Sequence, residues 1–172
     1  KAGDKLQMAT NQTVFYGESG GQVGDTGSLT WADGHGRIIN TTKTAGLFIH
    51  HIEIDEGNLA PHQSVSLQVD AKRRESLRAH HSATHLLHEA LREVLGAHVA
   101  QKGSLVSPER LRFDFSHPQA MNAHEIAEVE AIVNARIRQN SEVNTRIMTP
   151  DEATKEGALA LFGEKYGEKV RA

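Results

Sequence analysis

The chain has 172 residues, of which 38% are hydrophobic and 24% charged, and carries a net charge of −3 with histidine neutral. That length supports one large domain or two small ones. No run approaches the roughly 18 apolar residues of a membrane span and no basic-plus-apolar leader opens the chain, so a cytoplasmic protein with no membrane partner is expected. The absence of cysteine excludes disulfides and any thiolate ligand supplied by this chain. The acidic balance opposes bulk attraction to nucleic acid; no DNA partner is expected, and RNA would need a local basic patch.

Up to residue 70 the chain holds most of the glycines and short β-rich runs at 5–10, 28–31, 37–42, 47–54 and 64–69. Several alternate apolar and polar residues, as Ser64-Val65-Ser66-Leu67-Gln68-Val69 does, and Asp33-Gly34 and Glu56-Gly57-Asn58 mark turns between them. This spacing predicts a small antiparallel β-barrel or sandwich over residues 1–70. Near residue 70 the period changes. Lys72, Arg73, Arg74 and Arg78 form a basic run that suits RNA phosphates or, more plainly, a solvated helix start. The run His81-Ser82-Ala83-Thr84-His85 then opens an amphipathic helix whose stripe of Leu87, Ala90, Leu91, Val94 and Leu95 closes at Gly96.

Leu111-Arg112-Phe113-Asp114-Phe115 alternates like a strand. A second helix is predicted from Asn122, capped with Glu125 and burying Ile126, Val129, Ile132, Val133 and Ile137. Residues 142–148 read as another strand, and Thr149-Pro150-Asp151-Glu152 supplies a cap, a first-turn proline and an acidic first turn for a third helix. A strand is expected to begin at 169–172. Residues 71–172 therefore read as an α+β subdomain of helices packed on an antiparallel sheet, and the whole chain as α+β. The first residue is Lys1 and the last strand is cut short, so a fragment is expected.

Among eleven histidines, His35, His50, His51, His62, His117 and His124 fall at turns, strand ends or helix starts and need no special role. His81 and His85 differ, because residues i and i+4 on a helix share one face, about 5–6 Å apart at Cβ, and two neutral rings there suit one divalent ion. A bare His-x-x-x-His also arises by chance, and His85 with His88 is an alternative local pair. Ser82 stands where zinc peptidases carry glutamate, which argues against a peptidase.

Five segments, in this order, resemble the editing domain of bacterial alanyl-tRNA synthetases: residues 14–27 with Glu18-Ser19-Gly20-Gly21-Gln22, residues 81–87, 101–106, 111–117 and 163–167. The resemblance covers nearly the whole chain. It implies a β-barrel subdomain followed by an α+β subdomain, and hydrolysis of seryl and glycyl esters of tRNA for alanine. Such editing answers a physical need, since a pocket shaped for a methyl group excludes neither the smaller glycine nor, beyond about 10², an added hydroxyl. By resemblance His81 and His85 are zinc ligands, Gln101 is a polar pocket residue sensing the side chain to be removed, and Gly20-Gly21-Gln22 is the barrel's approach to substrate. Read without the resemblance, Gly20-Gly21 is a plain turn. Thr84 either bonds near the substrate or returns its hydroxyl to its own helix. Arg112 and Asp114 read as an internal pair or sheet-surface charges.

The family completes its metal site with a Cys-x-x-x-His motif that this chain lacks, so zinc is expected to bind weakly here, and ATP would be used only by an aminoacylation domain elsewhere in the synthetase. The expected partners are tRNA carrying serine or glycine and the rest of the synthetase chain. A freestanding trans-editing deacylase, a catalytically silent tRNA-binding module held by Lys72, Arg73, Arg74 and Arg78, and a structural spacer are the alternatives.

Overall fold

The computed structural model describes residues 2–142, 144–158 and 167–171. Five antiparallel strands come first: β1 (Lys5–Met8), β2 (Gly27–Trp31), β3 (Gly34–Thr44), β4 (Leu47–Glu56) and β5 (Ser66–Val69), in the spatial order β1-β4-β3-β2-β5. Period-2 alternation turns Leu29 and Trp31 of β2, Ile38 of β3, and Ile52 and Ile54 of β4 to one face, where Phe15 from the loop after β1 completes the core. Each such buried side chain contributes about 1.5–3 kcal/mol relative to its exposed state. A bulge between Ile38 and Asn40 changes the parity of β3: Ile38 is buried, Ile39 lies 43% exposed, and Thr41 takes the next inward place.

The closed barrel expected from sequence is not shown among the described residues. β1 and β5 each pair on one side only, so the sheet is open, and residues 9–26 run between β1 and β2 without joining a strand of it. At four residues apiece the two edge strands offer few hydrogen bonds with which to close a barrel.

α1 (Ala71–Leu95) follows β5 directly, because the Asp70 side chain accepts from the Arg73 N–H and caps the helix at 2.9 Å. The helix therefore starts ten residues before His81 instead of at the histidine run, and both histidines sit on a formed helix. Gly96, at φ +114°, ends it, its N–H bonding to Arg92 O. The hairpin of β6 (Gln101–Val106) and β7 (Leu111–Phe115) and the helix α2 (Ala123–Gln139) pack on α1 around Ala90, Leu91, Val99 and Val129.

Asn122 and Glu125 make the expected capping box. The buried stripe of α2 is narrower than its sequence predicts: Val129 is buried, Ile132 and Val133 are half-buried, and Ile126 and Ile137 are exposed. α1 covers only one side of a helix whose apolar residues spread further round it. Of the strand expected over 142–148, only β8 (Ile147–Met148) forms among the described residues, paired with β9 (Val170–Arg171). Thr149 caps α3 (Pro150–Lys155) through a second capping box. Apart from Gly167, the 163–167 segment lies outside the described residues. No described helix is long and apolar enough to cross a membrane.

Candidate functional site

Three pieces of chain meet at the histidine pair. The first is a two-residue turn in which Ser19 and Gln22 exchange backbone hydrogen bonds, Gln22 N–H to Ser19 O at 2.9 Å and Ser19 N–H to Gln22 O at 3.2 Å. Gly20 and Gly21 occupy its centre at φ +56° and +80°. Positive φ at both central positions is what a tight type I′ turn demands, and glycine adopts it without strain. Gly21 has a second reason to be glycine, since a Cβ there would lie 2.6 Å from Ser104 O.

The second piece is β6, against which the turn docks. Val106 N–H donates to Gly21 O at 2.8 Å, and Val23 N–H donates to Val106 O at 3.1 Å. These bonds make Gln22 a one-residue parallel extension of the β6–β7 hairpin and carry its side chain to α1. The third piece is α1 itself, where the His81 and His85 rings stack with centroids 5.2 Å apart and planes 20° from parallel.

The buried Gln22 closes the constellation. His81 Nδ1–H donates to Gln22 Oε1 at 2.6 Å, so the ring's other nitrogen, Nε2, keeps its lone pair. Burial lowers the pKa of His81 below the ordinary histidine value, and the neighbouring His85 pushes the same way; both favour the neutral ring. A neutral ring with one nitrogen donated to a carbonyl and the other free is the form in which histidine binds metal. The pair thus fits zinc as two of the roughly four ligands that the ion takes. Among the described residues, no group of three or more His, Cys, Asp or Glu side chains could hold a metal.

The other expected site residues fall into two sets. Gln101 begins β6, half-buried, and its side-chain amide has no hydrogen-bond partner among the described residues. Thr84 is buried and returns its hydroxyl to His80 O at 2.8 Å, the helix-internal use weighed from sequence. His88 turns inward, its ring 5.1 Å from that of Phe113, while His85 is exposed, so the alternative His85–His88 pair is not brought together. Burial lowers the pKa of His88, opposed by a hydrogen bond to the Val99 backbone, and its Nε2 is buried without a hydrogen-bond partner among the described residues. Arg112 Nε and Asp114 Oδ2 lie 3.2 Å apart on exposed side chains, so the two charges pair with each other on the surface of the hairpin.

Two members of the four-residue basic run are held by internal bonds, and one of these is paired with a carboxylate. Arg73 gives one guanidinium N–H to Gly24 O at 2.8 Å. Arg74 places Nε 2.9 Å from both carboxylate oxygens of Asp25, brings a terminal nitrogen onto Oδ2, and donates to Val14 O at 3.0 Å. Asp25 is 1% exposed and also accepts from Tyr16 N–H at 2.6 Å. These bonds tie α1 to the irregular segment before β2 and leave Lys72 and Arg78 as the exposed members of the run.

Sequence reasoning did not see the Asp25–Arg74 or Gln22–His81 contacts, each joining residues more than 45 positions apart. The acid in Gly24-Asp25 was a signal for the first, being a charge among apolar and glycine neighbours. A third unforeseen pair, His98 Nε2 with His117 Nδ1 at 2.9 Å, lies at the base of the β6–β7 hairpin. An open groove of about 640 Å³ on the five-stranded sheet, lined in part by Ser28, Arg37, Ile39 and Gln68, contains none of the expected site residues.

Comparison with known proteins places these features in context. Residues 1–73 match the family model of class II tRNA synthetases (A). The chain is 60% identical over 171 residues to an alanine-tRNA ligase of Ruegeria sp. (strain TM1040), a match spanning 99% of this chain and 19% of that protein. Alanine-tRNA ligases of Paracoccus denitrificans (strain Pd 1222) and Rhizobium meliloti (strain 1021) are 59% and 58% identical, each over 98% of this chain and 19% of their own length. The chain therefore spans about a fifth of the length of the curated relatives it matches.

Proposed function

We propose that this chain is the editing part of an alanine-tRNA ligase, which hydrolyses the ester joining serine or glycine to tRNA for alanine. The observation that carries the reading is the constellation of His81, His85 and Gln22: two stacked imidazoles on one helix face, the first oriented by the Gln22 carbonyl, beside a glycine turn. Similarity to alanine-tRNA ligases along the whole chain supports it.

In this reading His81 and His85 hold zinc. The chemistry that such an ion supplies when bound is Lewis acidity toward an ester carbonyl or a water molecule. Ester hydrolysis adds water oxygen to the acyl carbon, breaks the ester C–O bond and returns a proton to the tRNA hydroxyl, leaving the free amino acid. The turn at Gly20-Gly21 lets backbone approach the substrate closely. Gln101 offers a half-buried amide that pairs with a serine hydroxyl and stays unpaired before a methyl, which disfavours alanine. Lys72 and Arg78 face solvent nine and three residues before His81 on the same helix, where they meet tRNA phosphates.

The test is deacylation of seryl-tRNA for alanine by a polypeptide carrying this chain together with a Cys-x-x-x-His segment. Release of serine that His81→Ala abolishes, with alanyl-tRNA spared, is the expected result. Intact seryl ester after incubation with a folded, zinc-loaded protein would refute the proposal.

A further inference from the structure

We infer that Gln22 is a positioning residue for His81, holding the ring in the Nδ1–H tautomer so that Nε2 is presented to a metal ion; the inference rests on the zinc reading above. The residues of this loop are expected from sequence to approach substrate, but the Gln22 side chain is buried and its carbonyl oxygen is committed to His81 at 2.6 Å. An amide oxygen only accepts, so the proton of the neutral ring must sit on Nδ1. A free imidazole favours the opposite tautomer, with the proton on Nε2, where it would block coordination through that atom.

The backbone around Gln22 makes the contact rigid. Its own N–H is held by Ser19 O, and its neighbours Gly21 and Val23 bond to Val106 of β6. The backbone that carries this carbonyl is thus fixed by the turn and by β6, and burial of the side chain confines the amide beside His81. Histidines that bind metals characteristically donate their second nitrogen to such an acceptor, and loss of the acceptor typically weakens metal binding by 10–100-fold. The arrangement also accounts for the Gly20-Gly21 pair: a two-residue reversal with positive φ at both positions is what returns the chain so that residue 22 reaches α1.

The test uses ¹⁵N-labelled protein and long-range ¹H–¹⁵N correlation of the histidine rings at neutral pH, which distinguishes protonated from bare ring nitrogens. The unsubstituted chain should show His81 protonated on Nδ1, a result that needs no variant to fold. Gln22→Met, which keeps length but removes the acceptor, should move the proton to Nε2 and weaken zinc binding about 10–100-fold by titration. Gln22→Glu, which restores an acceptor oxygen, should return the Nδ1–H form. His81 protonated on Nε2 in the unsubstituted chain, or a Gln22→Met protein with the original tautomer and zinc affinity, overturns the inference alone. Zinc affinity unchanged in His81→Ala overturns the metal reading and this inference with it.

Discussion

Replacing Arg74 by methionine should destabilise the protein far more than replacing its partner Asp25 by asparagine. The asymmetry follows from where the two charges sit. Asp25 is 1% exposed, whereas the Arg74 side chain is 32% exposed. Removing the guanidinium strips the carboxylate of all its side-chain donors and leaves Tyr16 N–H as its one remaining partner among the described residues. A buried charge deprived of its partner costs about 3–5 kcal/mol, which for a chain of this size lowers the melting temperature by roughly 6–20 °C. Asp25→Asn keeps the shape and a carbonyl acceptor, and Arg74 retains Val14 O and access to water, so about 1–3 kcal/mol is expected there.

Arg74→Lys recovers little, because an ammonium cannot form the side-on pair with both carboxylate oxygens. Trp31, the sole tryptophan, is buried in the core of the five-stranded sheet, so its fluorescence in urea reports the unfolding directly. An Arg74→Met midpoint within about 1 kcal/mol of the parent protein would refute the assignment of Arg74 to this internal pair. It would return the residue to the surface patch expected from sequence.

Gly20→Ala and Gly21→Ala separate two reasons for glycine: the first should cost about 1–2 kcal/mol for positive φ alone, the second clearly more because its Cβ meets Ser104 O, and equal losses in chemical denaturation would contradict this. His50 gives a pH prediction. Its buried ring donates from Nδ1 to Met8 O at 3.1 Å and accepts at Nε2 from Thr13 Oγ1 at 2.8 Å, and burial lowers its pKa, with His51 adding to the shift and the Met8 bond opposing it. The unfolded chain therefore takes up a proton near pH 6.5 that the folded ring refuses until lower pH. Stability should fall as pH drops through that window. Denaturation midpoints at pH 7.5 and 5 should show the slope, and His50→Asn should reduce it, leaving the part contributed by His81 and His88, whose pKa values burial also lowers. Lys72→Ala and Arg78→Ala should each reduce the salt dependence of tRNA binding by about one phosphate contact, whereas Arg73, donating to Gly24 O, should change it little; gel-shift titrations across salt concentrations test this.

Legibility from sequence followed the range of the interactions. The strands of the first half, the Asn122–Glu125 capping box, the cap at Thr149 and the Gly96 stop were all readable, because each depends on residues within a few positions of one another. The start of α1 was not, because Asp70 ends one regular segment while capping the next, and the basic run after it looks the same whether its guanidinia face solvent or a carboxylate. The exposure of Ile126 and Ile137 was equally hidden: a hydrophobic period says which residues share a face and not how wide a partner surface covers it.

Local order alone determined that two imidazoles stand one turn apart and that Gly20-Gly21 reverses the chain, since helical spacing and glycine's φ range are properties of neighbours. Only the folded chain decided that these features meet. Gln22 and His81 are 59 residues apart, as Asp25 and Arg74 are 49, and a side-chain carbonyl finds its imidazole only once the turn has docked on β6 and α1 has packed against it. The same tertiary contact selects the ring's tautomer, because where a proton rests depends on which acceptor the fold puts beside it.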